Sequence, residues 1–294
     1  MSTSLDDSLT SSPASGPPNA PTGFNLILEA GRASRHYWFD LWRYRELFYF
    51  LAWRDVLVRY KQTVIGILWA VLRPLLTTFV FVFVFAKVAK LPSEGIPYPV
   101  LVMAGMLPWQ LFATSLSEGS NSLIVNSNLI SKVYFPRLIV PASAVIVSFV
   151  DFAISMGLLG IFMVWYQVWP GWHLLVLPLF TLLALVASTG AGLWLAALNV
   201  EYRDFRYVVP FIVQFGLYIS PVGFSSSIVP ENLKLLYALN PMVTVIDGFR
   251  WAISGGQTPF YLPGLCLGVI TMTLLLISGI WYFRKMERTF ADVI

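Results

Sequence analysis

The sequence predicts an all-α, polytopic membrane protein with six transmembrane helices, an N-terminal interfacial helix and re-entrant outer half-helices between the fifth and sixth spans. Three observations carry this. Apolar runs of roughly 18 to 29 residues recur between Val64 and Phe283, long enough to cross a hydrocarbon core in which every backbone polar group must be satisfied internally. Only 12% of the 294 residues are charged and 57% are hydrophobic, with a mean hydropathy of +0.72, which excludes a soluble core. Lys and Arg gather at the ends of the apolar runs, so the pI near 9.2 is explained by inner-leaflet phospholipid and not by nucleic acid.

Residues 1–24 read as a disordered cytoplasmic tail, because Ser, Thr, Pro, Gly and the pair Asp6 and Asp7 carry too little apolar surface to offset the entropy of ordering. The tail has neither a basic n-region nor an apolar h-region, so the first span is expected to act as the targeting signal. Residues 25–63 form a cytoplasmic interfacial segment. Trp42, Tyr44, Phe48, Tyr49, Phe50 and Trp53 alternate there with Arg43, Arg45, Arg54, Arg59 and Lys61, which suits the headgroup region. Its apolar face is not cleanly 3.6-periodic, so a bend or two short helices are expected.

The transmembrane domain covers 64–283. Span 1, about Val64 to Ala86, contains Arg73-Pro74, a charge and a helix breaker tolerated only beside a cavity or a neighbouring helix. Phe79, Phe81, Phe83 and Phe85 alternate with other residues at a strand-like period, but the length of the run favours a helix. The remaining spans are about Pro99 to Leu116, Leu138 to Tyr166, Leu174 to Leu198, Tyr207 to Phe224 and Phe260 to Phe283, followed by a cytoplasmic tail over 284–294. Arg32, Arg35, Arg43, Arg45, Arg54, Arg59 and Lys61, with Lys132, Arg137, Arg203, Arg206, Arg284, Lys285 and Arg288, outweigh Lys87, Lys90, Lys234 and Arg250 on the opposite side. Both termini are therefore expected in the cytoplasm. Residues 225–256, broken by Pro230, Asn240-Pro241 and Gly255-Gly256, are too short and interrupted to cross twice and are expected to dip in from the outer face. Arg250 is placed near the outer interface, where water or phosphate satisfies its charge.

Little in the chain is suited to bond-making chemistry. No Gly-rich stretch ends in Gly-Lys, so the chain is not expected to hydrolyse ATP unaided. His36 and His173 lack partners at metal-ligand spacing, and the single Cys266 sits in an apolar run. Asp151 is an acid in the middle of span 3, at a cost of about 2.5 to 3.5 kcal/mol on insertion scales. A proton relay, an interhelical hydrogen bond and contact with a water-filled path all remain open for it. Arg73 poses the same choice between a cavity-facing functional charge and a structural partner.

Four stretches resemble the permease subunits of type-2 ABC exporters, in the branch that exports lipid-linked polysaccharides such as O-antigen, capsule or teichoic acid. They are Trp53-Arg54-Asp55-Val56-Leu57-Val58-Arg59-Tyr60-Lys61-Gln62-Thr63 with Gly66-Ile67-Leu68-Trp69 and Arg73-Pro74; Asn128-Leu129-Ile130-Ser131-Lys132-Val133-Tyr134-Phe135-Pro136-Arg137; Tyr202-Arg203-Asp204-Phe205 leading to Pro210 and Ser220-Pro221; and Leu239-Asn240-Pro241 leading to Arg250. Each alone is common, whereas four in this order at matching membrane positions are specific. The resemblance runs from about residue 40 to the end, and Glu201 departs from it where a basic or neutral residue is expected.

The resemblance implies a homodimer of this chain in the bacterial inner membrane, paired with two copies of a separate ABC ATPase that binds ATP and Mg, with no cofactor on this chain. The expected substrate is a glycan on polyprenyl diphosphate. The loop from Glu118 to Arg137 becomes the ATPase-coupling element, with Glu118, Asn121, Asn126, Asn128 and Lys132 as contacts. Arg54, Arg59 and Lys61 become substrate-intake residues for the diphosphate, the alternative being anionic membrane lipid. Arg73, Phe79, Phe83, Phe215, Tyr218 and Arg250 become channel and gate candidates, the aromatics stacking on sugar C–H faces, the alternative being lipid-facing rings. Three other readings are weighed: a type-2 exporter of a drug or small lipid, an enzyme acting on polyprenyl lipids, which lacks clustered carboxylates or histidines, and an ion-coupled transporter using Asp151.

Overall fold

The computed structural model describes residues 37–61, 66–202, 204–287 and 289–290. The chain divides after Tyr37 into two units, the second of which, Trp38–Ile294, holds the helical bundle. The expected tail over 1–24, His36, the start of span 1 at Val64 and Arg203 lie outside the described residues. Among those described there is no strand.

The interfacial segment forms α1 (Tyr37–Arg43) and α2 (Arg45–Lys61), which meet at Tyr44. The uneven apolar pattern thus resolves as two helices. On α2, Leu51 and Ala52 are buried while Tyr49, Phe50 and Trp53 stay exposed, Tyr49 and Trp53 stacking at 6.4 Å.

Span 1 is α3 (Gly66–Phe81) continued by π-helical turns over Val82–Val88. A period of two, wound into a helix, places residues four apart on one face, and the phenylalanines divide accordingly. Phe79 and Phe83 are exposed, whereas Phe81 and Phe85 meet edge-to-face at 5.5 Å, with Phe81 packed on the core. Pro74 lacks the N–H that would bond the Ala70 carbonyl. The Ser155 hydroxyl of a neighbouring helix donates to that oxygen at 3.4 Å, so the breaker is accommodated by a neighbour.

The next helix, α4 (Tyr98–Val125), is the central element, buried over most of its length and flanked by α6 (Ile139–Trp165) and α7 (Leu177–Glu201). It corrects the expected boundary at Leu116. The expected loop over 118–137 is mostly helical, with α4 running to Val125 and α5 covering Ser127–Lys132. The polar residues that suggest a loop bond back to their own helix: Asn121 Nδ2 to the Ser117 carbonyl at 2.9 Å, the Ser122 hydroxyl to Gly119 at 2.7 Å and Asn126 Nδ2 to Ser122 at 2.9 Å.

The closest helix crossing joins α7 to α11 (Leu262–Met286), where a methyl group added at Gly190 would lie 2.7 Å from the Leu276 nitrogen. Beside it Trp194 stacks on Tyr282 at 4.1 Å and donates to the Ser278 hydroxyl at 3.1 Å. Among the described residues, five segments are long and apolar enough to cross a membrane: Leu68–Val88, Tyr98–Val125, Ile139–Trp165, Gly171–Glu201 and Leu262–Met286. The expected span 5 is shorter than predicted. It forms α8 (Phe205–Ile219), whose 15 residues rise about 22 Å against a hydrocarbon core of about 30 Å. The helix stops before Phe224 because Pro221 holds Ser220 in an extended conformation.

Between α8 and α11 lie α9 (Glu231–Tyr237) and α10 (Pro241–Ile253). Pro241 occupies the first turn of α10, and the Asn240 side chain caps it by accepting from the Met242 N–H at 3.1 Å. Both devices match the expected break at Asn240-Pro241. Most of α10 is buried, packed on α4, α7 and α11 at the end of the bundle remote from α2.

Candidate transport site

Two polar regions stand out, one at each end of the bundle. At the first, α2 lies along α6, and its basic residues reach inward. Arg54 Nη2 donates to Asn126 Oδ1 at 2.8 Å, and its Nε to the neighbouring Asp55 at 2.8 Å. Arg59 stands 3.4 Å from both Glu118 Oε1 and Asp151 Oδ2, while the Tyr60 hydroxyl donates to Asp151 Oδ1. Burial, then the carboxylate that accepts its hydrogen bond, raise the Tyr60 pKa, so this phenol stays a donor at neutral pH. Asn199 Nδ2 extends the layer by donating to Asn121 Oδ1 at 3.0 Å and to the Ser120 carbonyl at 3.1 Å.

Residues assigned from sequence to two separate tasks thus meet in pairs, Arg54 with Asn126 and Arg59 with Glu118, while Asn121 of the coupling set bonds Asn199. Lys61, Asn128 and Lys132 are not drawn into these contacts and stay exposed. Asp151 is paired, Tyr60 and Arg59 holding both of its oxygens. Beside the layer opens a cavity of ≈ 270 Å³ lined by Arg59, Tyr60, Arg73, Gln110, Ser148 and Asp151. Arg73 therefore faces a cavity. The Ser148 hydroxyl, fully buried, has no hydrogen-bond partner among the described residues.

Two aromatic faces are left uncovered. On α8, Tyr207, Phe211, Phe215 and Tyr218 all lie exposed, with the Phe211 and Phe215 rings 4.1 Å apart, and on span 1 Phe79 and Phe83 are exposed likewise. These include all the aromatic channel candidates.

The second polar region corrects the placement of Arg250. It is 2% exposed, so neither water nor phosphate satisfies its charge. Its guanidinium donates to three backbone carbonyls: Leu101 at 3.3 Å, Phe224 at 2.7 Å and Val222 at 2.9 Å. The turn after α8 supplies two of these oxygens, and Tyr98 donates to a third carbonyl there, Gly223, at 2.7 Å. Asn240 Nδ2 donates to the Ser220 hydroxyl at 2.9 Å and the Tyr237 hydroxyl to the Ile219 carbonyl at 2.8 Å. Gly105 makes room for the clamp, because a methyl group there would lie 2.9 Å from Arg250 Nη2. Carbonyls of the turn that follows Ser220-Pro221 need donors, and a buried fork with several N–H groups provides them for Val222 and Phe224.

Sequence reasoning missed Tyr60, Asn199, Tyr98 and Tyr237. Tyr60 and Asp151 are 91 residues apart, and no local pattern joins them. A signal did exist at the other end, where Asp247 and Arg250 sit one turn apart on α10.

With this geometry in view, comparison with known proteins decides the family. The description "ABC-2 type transporter" matches residues 46–254, from α2 through α10. The chain belongs to the ABC-2 type transporter family. The O-antigen export system permease protein RfbA of Myxococcus xanthus is 30% identical over 252 residues, 84% of this chain and 96% of that protein. A protein of the same name from Klebsiella pneumoniae is 27% identical over 245 residues, covering 82% and 92%. The polysialic acid transport protein KpsM of Escherichia coli is 22% identical over 238 residues, covering 80% and 91%. As an ABC-2 family member this chain is a membrane component of a transporter, and both polar regions lie within the matched residues.

Proposed function

We propose that this chain is the channel-forming subunit of an ATP-driven exporter that carries lipid-linked polysaccharide across the bacterial inner membrane. The observation that carries the reading is that relatives covered over more than nine-tenths of their length are named for O-antigen export or polysialic acid transport. These names do not favour a drug or small-lipid exporter. Two copies of the chain pair through the uncovered faces of span 1 and α8, so that Phe79, Phe83, Phe215 and Tyr218 line a path between them. Aromatic faces stack on sugars and close on one another when no chain is present. Both termini and the α2 layer are cytoplasmic, and the α10 region faces outward.

ATP and Mg bind a separate ABC ATPase, which docks beside α5, where Asn128 and Lys132 are exposed. A push there passes through Asn126 to Arg54 and through Glu118 to Arg59, moving α2 together with the α4 end. Arg59, Arg73 and Lys61 meet the diphosphate. The purified chain in lipid is expected to show no ATPase activity and to gain it only with the partner. Deleting its gene should remove polysaccharide from the cell surface and accumulate it inside. Hydrolysis by the pure chain, or an unchanged cell surface, would refute the reading.

A further inference from the structure

The α10 end holds a second cavity, of ≈ 240 Å³, whose lining includes Asp247, Ser226, Lys234, Tyr237, Phe260 and Tyr261. Its size falls below the roughly 300 to 1,000 Å³ of drug-sized sites and equals the space of about eight waters, room for one sugar ring. Asp247 lies on the same helix as Arg250, yet the guanidinium is committed to the Leu101, Val222 and Phe224 carbonyls. The Asp247 carboxylate feels the Arg250 charge but bonds the Ser226 hydroxyl, and it lines the cavity. An ionised carboxylate is acceptor-only, with room for several donors, and suits adjacent hydroxyls on one ligand.

The opposite wall is aromatic. Phe260 is fixed by contacts with Trp251 at 5.7 Å and Phe180 at 6.0 Å, and Tyr261 beside it is 37% exposed. Lys234 carries a donor at the rim, held by Glu231 at 2.5 Å. Fixed rings, one carboxylate and a tethered ammonium together match a ligand with an apolar C–H face and a polar edge, which is the chemistry of a pyranose. Position supports the same occupant: the Tyr237 hydroxyl, in the cavity wall, bonds the last carbonyl of α8, so the cavity adjoins the end of the exposed aromatic stripe.

We propose that this cavity is a sugar-binding subsite that takes one pyranose unit of the exported glycan as it leaves the α8 stripe. Asp247 accepts from neighbouring ring hydroxyls, and Tyr261 with Phe260 stacks on the C–H face. The proposal rests on the polysaccharide-export reading above.

The test uses the full chain in nanodiscs of deuterated lipid and saturation-transfer NMR with methyl glycosides of glucose, mannose, galactose, rhamnose and N-acetylglucosamine. At least one glycoside should be saturated, with the signal falling at least fivefold in both Asp247→Asn and Tyr261→Ala and persisting in Cys266→Ser. Both variants should keep the melting temperature of the parent; if Asp247→Asn does not fold, Tyr261→Ala decides alone. No saturation by any glycoside, or saturation unchanged in the variants, overturns the subsite. Phosphatidylethanolamine retained by the parent and lost in Asp247→Asn, without glycoside saturation, overturns it in favour of a lipid headgroup. Surface export distinguishes the two levels: a parent chain that restores export but saturates no glycoside sinks the subsite alone, and one that restores no export sinks the reading beneath it.

Discussion

The two ends of the bundle handle buried charge in opposite ways. At the α2 end, Arg54 and Arg59 bind other side chains, Asn126, Glu118 and Asp151, and stay about one-third exposed. At the α10 end, Arg250 is sealed from solvent and donates to three backbone oxygens. Side-chain pairs in partial contact with water are weak and exchange partners readily, each worth about 0 to 1 kcal/mol. A charge buried against carbonyls cannot let go without leaving both itself and them unsatisfied. The first end is built to rearrange and the second to hold the end of α8 in place.

The largest expected effect breaks the rigid end. Arg250→Ala should cost about 3 to 5 kcal/mol, seen as loss of folded protein in detergent melting curves, and Arg250→Lys should recover only part of it because a single ammonium cannot reproduce the planar fork. Melting temperatures within a degree or two of the parent would remove the contrast. Next in size is the methyl insertion Gly190→Ala, with about 1 to 3 kcal/mol lost at the α7–α11 crossing, read by the same melting curves. At the exchangeable end, a double-mutant cycle of Tyr60→Phe with Asp151→Asn should give a coupling of about 1 kcal/mol. A coupling several times larger would make that end as fixed as the other.

Smaller still is the effect on stability of Lys132→Glu with Asn128→Ala, which should leave the fold intact while weakening co-purification of the ATPase. Unchanged association and transport would move docking away from α5. Cysteines scanned through the α10 end, in a Cys266→Ala background, sharpen the picture without loss of function. Leu233 and Leu236 positions on α9 should react with outside reagents, and Ile246 and Phe249 positions should not. Full reaction along α10 would make it a surface loop.

Element types are legible in the sequence because lipid leaves so few options: span length, Pro241 after Asn240 and the aromatic-basic interfacial segment all point to helices where helices stand. Boundaries are less legible. The Ser and Asn residues over 117–126 look like a loop, yet they satisfy their polar atoms on their own helix, so α4 passes through. Arg250 reads as a surface charge by the rule that charge avoids apolar surroundings. The rule fails because the turn over 220–224 presents carbonyls that no helix partner satisfies, and sequence alone does not show where a broken helix end will meet a distant side chain. Asp151 and Tyr60 are invisible as a pair for the same reason, since only folding brings α2 against α6.

At the α7–α11 crossing, the partner of each glycine is backbone. A rotamer change can absorb strain between side chains, but two main chains in contact have none to make. The two helices then form a single strut, pinned by Gly190 and Gly279 and, about one turn further along, by the Trp194–Tyr282 stack. Whatever swings during a transport cycle has to swing against this strut, which serves as a fixed frame from which displacement can be measured.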